Sequence, residues 1–426
     1  MDENRRRGGF SHWLDRVWRR GVMRSGIVTW LVLSIAALTF VLVYLQHMQG
    51  NFHKLKQRMA DERPQATEQL PGGQESIELT RTRMMEDAVP EFLSMTMLPG
   101  RGMDVLDLRA FIPGTGEIRL LTSPTVQEAA TAMTGKGADA DGRFNLKTGG
   151  AIELPWADGM WGTTTDGHTH PQLTWQGHTM GGTTSTEVPW EGGLILATAS
   201  DSSNTSPLPD GGQAEATFHG FNGRWPSTTE VTTSALLSSH TIDLTVTANN
   251  AGNEAEPVGI GWRPRLAIPA DARAHLRIHI AGESVVEQNK RQNGIPTGTL
   301  VPVAHTRLDF TSPEGALLPE GGLDVCFTEL TQGVMDDGPT AELINPVDGY
   351  KLRITALSPE IKAIRVTMPA DGSYIAIGPQ YNYPDPFGHE WDKAGGAGMV
   401  TLQPGQSTKW KVRLEILPLN KKSVAH

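Results

Sequence analysis

Cysteine is nearly missing: the 426-residue chain has one, Cys326. That excludes an internal disulfide framework and any zinc site built on several thiolates. A basic excess is missing from most of the chain. Residues 1–25 hold seven Arg and three acids, net +4, so the other 401 residues carry 30 basic against 44 acidic side chains, net −14. An acidic main body excludes nucleic acid as a partner, because phosphate binding needs a basic footprint. Glycine-rich phosphate loops and Gly-x-Ser-x-Gly nucleophile elbows do not occur, so neither a nucleotide cradle nor an activated serine is expected. Gly and Pro together make 75 residues, 47 plus 28, of 426. This is below the ~25–30% that marks low-complexity disorder.

One long apolar run is present. Gly26 to Leu45 reads GIVTWLVLSIAALTFVLVYL, twenty residues without a charge, enough for a helix rising ~1.5 Å per residue to cross ~30 Å of hydrocarbon. A cleaved signal peptide would have a shorter apolar region and a small-residue cleavage site; Gln46-His47-Met48-Gln49 follows instead. An uncleaved transmembrane helix is therefore expected. Seven Arg precede it, and four basic residues (Lys54, Lys56, Arg58, Arg63) follow it. The positive-inside rule then predicts a cytoplasmic N-terminus, an inner (cytoplasmic) membrane location and a periplasmic or otherwise extracytoplasmic main domain. The basic tail would meet anionic membrane lipid. Phe10, Trp13, Leu14, Val17 and Trp18 form an apolar helical stripe suited to a lipid surface. Leu45, Met48, Phe52, Leu55 and Met59 follow a 3-4 spacing, the pattern of a short coiled-coil seam. Such a stalk could serve a homo-oligomer or a membrane protein partner. The polar stretch Asp61 to Arg83 reads as a linker, with a short helix near Glu75 to Met84.

Beyond residue 90 the dominant period is two. Ile242, Leu244, Val246 and Ala248 alternate with Asp243, Thr245 and Thr247. Leu276, Ile278 and Ile280 do the same, as do Ile364, Val366 and Met368, and Trp410, Val412, Leu414 and Ile416. Each pattern puts one face in a core and the other, with Arg365, Arg413 and Lys411, in water. Gly, Pro, Asn and Asp clusters supply the turns. The expected fold is all-β, one large antiparallel sandwich, in which residues 201–218 read as a surface insertion. The boundaries predicted are a basic tail at 1–25, the transmembrane helix at 26–45, a stalk or linker at 46–90, the β-sandwich domain at 91–418 and a tail at 419–426.

Several segments resemble, in order, the aldose 1-epimerase or galactose mutarotase-like family. They are Met97-Leu98-Pro99-Gly100-Arg101-Gly102-Met103; Gly149-Gly150-Ala151-Ile152-Glu153-Leu154-Pro155-Trp156; and Pro257-Val258-Gly259-Ile260-Gly261-Trp262-Arg263-Pro264. Ile295-Pro296-Thr297-Gly298 follows, then Asp309-Phe310, Leu323-Asp324 and Phe327, then Gly378-Pro379-Gln380 with Pro384-Asp385-Pro386-Phe387, and last Leu402-Gln403-Pro404-Gly405. The resemblance spans roughly 95–417. It implies a super-sandwich of two large antiparallel sheets and a sugar ligand whose anomers are interconverted by a histidine acid and a glutamate base.

Position by position, the family's acid histidine falls on Arg263 and its base glutamate on Gly378. The family's arginine falls around Asp158-Gly159-Met160, whereas its aspartate is kept at Asp324. Arginine stays protonated near neutral pH and cannot act as a general acid. The resemblance therefore implies a carbohydrate-binding protein with the usual acid–base pair lost. Asp324 and, by a looser match, His178 are its remaining catalytic candidates. Arg263, Trp262, Trp156, Gln380 and Tyr381 are the candidate substrate-binding residues, with Trp161 a further ring that a sugar could stack on. Two other readings stay open, an active membrane-held aldose 1-epimerase and a structural subunit of a membrane complex. Asp166, His168, His170 and His178 suggest a metal only loosely. A Gly/Thr-rich exposed loop accounts for them, so neither metal nor cofactor is expected.

Overall fold

Alternating β-branched and polar residues become antiparallel sheets here because every second side chain finds the same core. The computed structural model describes residues 70–83, 89–161, 173–180, 189–290 and 294–419, together with Leu33. Backbone contacts divide the chain into Met1–Glu68 and Gln69–His426. Apart from Leu33, the expected anchor at 26–45 lies outside the described residues, as do the amphipathic stretch before it and the seam after it. Among the described residues no helix is long and apolar enough to cross a membrane.

Two sheets dominate the second unit, one of eleven strands and one of nine among the described residues. The smaller is ordered Ser202–Leu208, Gly211–His219, Thr229–Leu237, Thr241–Asn250, Ser407–Pro418, Tyr350–Ala356, Thr340–Asn345, Arg277–Ile280, Ala316–Leu317. In its centre Ile242, Leu244, Val246 and Ala248 pair across to Leu414, Val412, Trp410 and Thr408, and the apolar ones are buried. The middle of the larger sheet is made by five strands: β1 (Gly150–Glu153), β2 (Gly261–Ala267), β3 (Leu323–Leu330), β4 (Ala363–Met368) and β5 (Tyr374–Gln380). Their spatial order is β1-β2-β5-β4-β3. A single apolar cluster takes Trp262, Ile364, Val366, Ile375 and Ile377 from this sheet and Ile242, Val246, Trp410 and Leu414 from the other. Sheet-on-sheet burial of that kind is the main stabilising force, at ~25 cal/mol per Å² of apolar area.

Three local expectations change. The helix foreseen near Glu75 is a strand, Ile77–Thr80, which pairs with Glu91–Leu98. The sandwich thus begins inside the predicted linker, because Leu79 finds a place in the core. Residues 201–218 are not a loose insertion. Ser202–Leu208 is an exposed edge strand, but Gly211–His219 buries Ala214, Ala216 and Phe218. Arg365, expected in water, is 7% exposed, since the outer face of the larger sheet is covered near its middle. A short α-helix, Val126–Ala132, opens with a capping box between Thr125 and Glu128.

Candidate functional site

Pairing across the five central strands puts a row of unusual residues on the face turned away from the core. Arg263 of β2 stands opposite Ala151 of β1. Arg365 of β4 stands opposite Gly378 of β5 and Cys326 of β3. One step along, Glu153 is opposite Gly261, which is opposite Gln380. Gly378 fills the gap between the two arginine-bearing strands. A Cβ there would come within 2.7 Å of the Trp262 carbonyl and 3.7 Å of Arg263 Cα, so only glycine fits without moving β2.

The segment after β1 folds back over this row. Asn382 fixes it: its amide donates to the Ala157 carbonyl at 2.8 Å and accepts from the Ala157 N–H at 3.0 Å. Asp385 accepts from the Trp161 N–H at 3.1 Å. Asp158 adopts a left-handed backbone, φ +67°, which Asp tolerates better than most residues. Its N–H donates to Glu153 Oε2 at 3.1 Å.

Two charge relays result. Arg263 Nη2 lies 2.9 Å from Glu153 Oε1 and its Nη1 lies 3.3 Å from Glu191 Oε2. Arg365 Nε lies 3.1 Å from Asp158 Oδ2, and its Nη2 holds Asp324. In each relay the arginine is nearly buried, at 12% and 8% side-chain exposure, with one carboxylate beneath it at 2% and one at the surface, at 41% for Glu191 and 64% for Asp324. Burial pushes the Glu153 carboxyl up to about 7 against the opposing pull of Arg263. Burial acts to lower the Arg263 pKa, but Glu153, Glu191 and Asp158 outweigh it and hold that guanidinium above its ordinary value. Burial pushes the Cys326 thiol up, which leaves it unreactive.

The cluster accepts some of the expected residues and rejects others. Arg263 and Asp324 are both in it. Gln380 shares its face, but its amide is buried and donates to the Asn382 carbonyl at 2.7 Å, so it supports the overlying segment. Trp262 and Tyr381 alternate with Arg263 and Gln380 and therefore point into the core. Trp262 Nε1 donates to the Gly150 carbonyl at 3.0 Å, and the Tyr381 hydroxyl lies 3.2 Å from Thr408 Oγ1. Trp156 is wholly buried, edge-on to Trp190 with centroids 4.4 Å apart and stacked on Trp225 at 5.6 Å. Trp161 is also buried. None of these rings offers a free face for stacking. His178 lies in a two-stranded hairpin, Leu173–Trp175 with His178–Met180, and among the described residues nothing ties it to either arginine. Asp166, His168 and His170 lie outside the described residues. Among those described, no group of His, Cys, Asp and Glu is arranged to hold a metal.

Sequence reasoning missed Glu153, Asp158, Glu191 and Arg365. The period-two signal could have found two of them. Glu153 alternates with Ile152 and Leu154, and Arg365 with Ile364 and Val366, so both share the non-core face. Asp158 and Glu191 lie in irregular or very short segments, where periodicity is silent. Two surface hollows lie elsewhere: one of about 380 Å³ around Glu329, Ser358 and Tyr383, the other of about 330 Å³ around His279, Glu342 and Arg353. Neither touches the relays.

Comparison with known proteins agrees with this architecture. Residues 207–415 match the family model for aldose 1-epimerase. No curated protein sequence matches the chain. Among solved structures, a galactose mutarotase-like protein from Clostridium acetobutylicum superposes with a TM-score of 0.62 at 15% identity, covering 80% of this chain and 98% of the other. An aldose epimerase homologue from C. elegans gives 0.57 at 13% identity, covering 81% and 99%. A galactose 1-epimerase from Lactobacillus acidophilus gives 0.53 at 12%, covering 81% and 99%. The sandwich therefore has the galactose mutarotase-like fold.

Proposed function

We propose that this chain is a membrane-anchored, extracytoplasmic member of the aldose 1-epimerase family that binds carbohydrate without the family's usual acid–base pair. The observation that carries this reading is what occupies the outer face of the larger sheet. The position that the resemblance gives to the acid histidine is Arg263, held between Glu153 and Glu191. The position given to the base glutamate is Gly378, where the backbone of β2 leaves no space for a side chain. Mutarotation needs one group to remove the C1 hydroxyl proton while another protonates the ring oxygen, both with pKa values near working pH. A guanidinium and a glycine meet neither need. What the face retains is a set of charged donors and acceptors suited to sugar hydroxyls. The anchor rests on the uncharged run at 26–45, and the extracytoplasmic side on the arginine bias around it.

Polarimetry on the purified full-length chain with D-glucose and D-galactose tests the reading. Anomer equilibration should run at the solvent rate, while thermal shift against a sugar panel should show stabilisation, as any ligand that binds only the folded state must produce. One observation favours a second reading, an active epimerase with a relocated acid or base. Glu153 is a buried carboxyl held at about 7, near the optimum for proton transfer at neutral pH. Acceleration that Glu153→Gln abolishes would establish that alternative.

A further inference from the structure

The larger surface hollow, about 380 Å³, lies where β3 ends and β4 begins, and none of the residues lining it belongs to either relay. Two of its residues are unusual. Glu329, near the end of β3, has a left-handed backbone, φ +52°. Residues other than glycine enter that region only where their surroundings require it. Phe327, two positions earlier, is in the core, and a regular strand would turn Glu329 the same way. Instead Glu329 is exposed. The Ser284 hydroxyl donates to its Oε2, and among the described residues no cation pairs with it.

Tyr383 is the second. Its ring packs against Trp391, with centroids 5.2 Å apart, and its N–H donates to the Ala397 carbonyl at 2.8 Å. The ring is thus fixed in place and half-buried. Its hydroxyl makes no hydrogen bond among the described residues, yet it is not sealed from solvent. Burial raises the phenol above its ordinary value, with smaller contributions from Cys326 and Glu329, so it keeps its proton at neutral pH and can donate.

The lining selects the ligand. Its carboxylates, Glu329 and Asp337, are matched by Lys362, which also lines it, and by Arg413, 3.8 Å from Asp337. The charges cancel, so neither an anion nor a cation is favoured. Beside these groups lies apolar surface from Leu330 and Leu357. A sugar ring offers the complementary mixture: hydroxyls that both donate and accept, and C–H faces that pack on apolar or aromatic surface. Building on the carbohydrate reading above, we propose that this hollow is a seat for one neutral sugar ring, separate from the arginine row. One sugar hydroxyl donates to the Glu329 carboxylate and another accepts from the Tyr383 hydroxyl.

The test labels the full-length chain with 3-fluorotyrosine and follows it by fluorine NMR. The chain has five tyrosines, and Tyr383→Phe identifies the Tyr383 signal by its loss. Because no described residue bonds that hydroxyl, this variant should keep the melting temperature of the parent chain. Titration with D-galactose and D-glucose should move the Tyr383 signal saturably. Glu329→Gln, which retains an acceptor for Ser284, should weaken that response about tenfold, as the loss of a charged acceptor does, and its unliganded melting temperature reports that the fold is intact. D-glucuronate and D-glucosamine should act no more strongly than the neutral hexoses. A Tyr383 signal that stays still, while thermal shift shows that the hexoses bind, would overturn this inference and leave the carbohydrate reading standing. No response to any sugar by either measurement would remove both. A response to glucuronate or glucosamine at tenfold lower concentration would give the hollow to a charged ligand and overturn the inference, as would an unchanged titration in Glu329→Gln.

Discussion

Two places on the outer faces of the sheets handle charge in opposite ways. On the smaller sheet Asp243 pairs with Arg413 at 2.7 Å across neighbouring strands, with side-chain exposures of 19% and 31%. That is an ordinary pair on a wetted surface. On the larger sheet Arg263 and Arg365 are 12% and 8% exposed, over carboxylates at 2%. Taking charges out of water is costly, and their mutual attraction seldom more than repays it. Stability alone therefore does not explain why the larger sheet buries two such pairs on the face where apolar residues would serve. On the reading proposed above, that burial belongs to the ligand-binding face.

The largest effect that could break this contrast comes from removing one buried partner. Asp158→Asn keeps the side-chain shape and the tolerance for a left-handed backbone, but leaves Arg365 buried beside a neutral group. Urea unfolding should show a loss of about 3–5 kcal/mol. Asp243→Asn, the matching change on the wetted sheet, should cost no more than about 1 kcal/mol. Equal costs would mean that the two faces do not differ in the way their exposures suggest.

The contrast was only half legible in the sequence. Period-two patterns over 242–248, 364–368 and 410–416 identified strands and their core side, because burial on one face enforces alternation. They could not say what covers the other face, so Arg365 read like Arg413. The cover comes from the segment 154–161 and from Asn382 and Asp385, whose contacts join residues more than 220 positions apart. Nothing local encodes such contacts. The same limit misled the choice of stacking rings: Trp262 sits next to Arg263 in sequence, but one step along a strand turns it to the other side. Arg263 and Asp324 were found because ordered motifs, not periodicity, pointed to them.

A smaller effect sharpens the comparison through pH. Glu153 is held at about 7 when folded, against an ordinary glutamate value of about 4.3. Between those values the folded state binds more protons than the unfolded one, so stability falls as pH rises through that window and levels off above it. The loss from this group is roughly 4 kcal/mol at ~1.36 kcal/mol per pH unit. Arg263→Met removes the cation that opposes the upward shift, so the fall should continue beyond pH 7. Glu256 and Glu390, which burial also holds up to about 7, fall in the same window in both proteins. The difference between the two stability profiles thus comes chiefly from Glu153, which Arg263 opposes most directly, and superimposable profiles would show that Arg263 does not govern its titration.

The smallest effect separates the two carboxylates of a single arginine. Asp324 and Asp158 both contact Arg365, but one is 64% exposed and the other 2%. An exposed ion pair gains little beyond what water already provides, so Asp324→Asn should change unfolding free energy by about 1 kcal/mol or less. The charge at Asp324 is then dispensable for the fold, unlike that at Asp158, which on the reading proposed above leaves it available to the solvent side. A loss as large as that of Asp158→Asn would place both carboxylates in the framework of the sheet and leave Glu191 as the sole surface acid of the two relays.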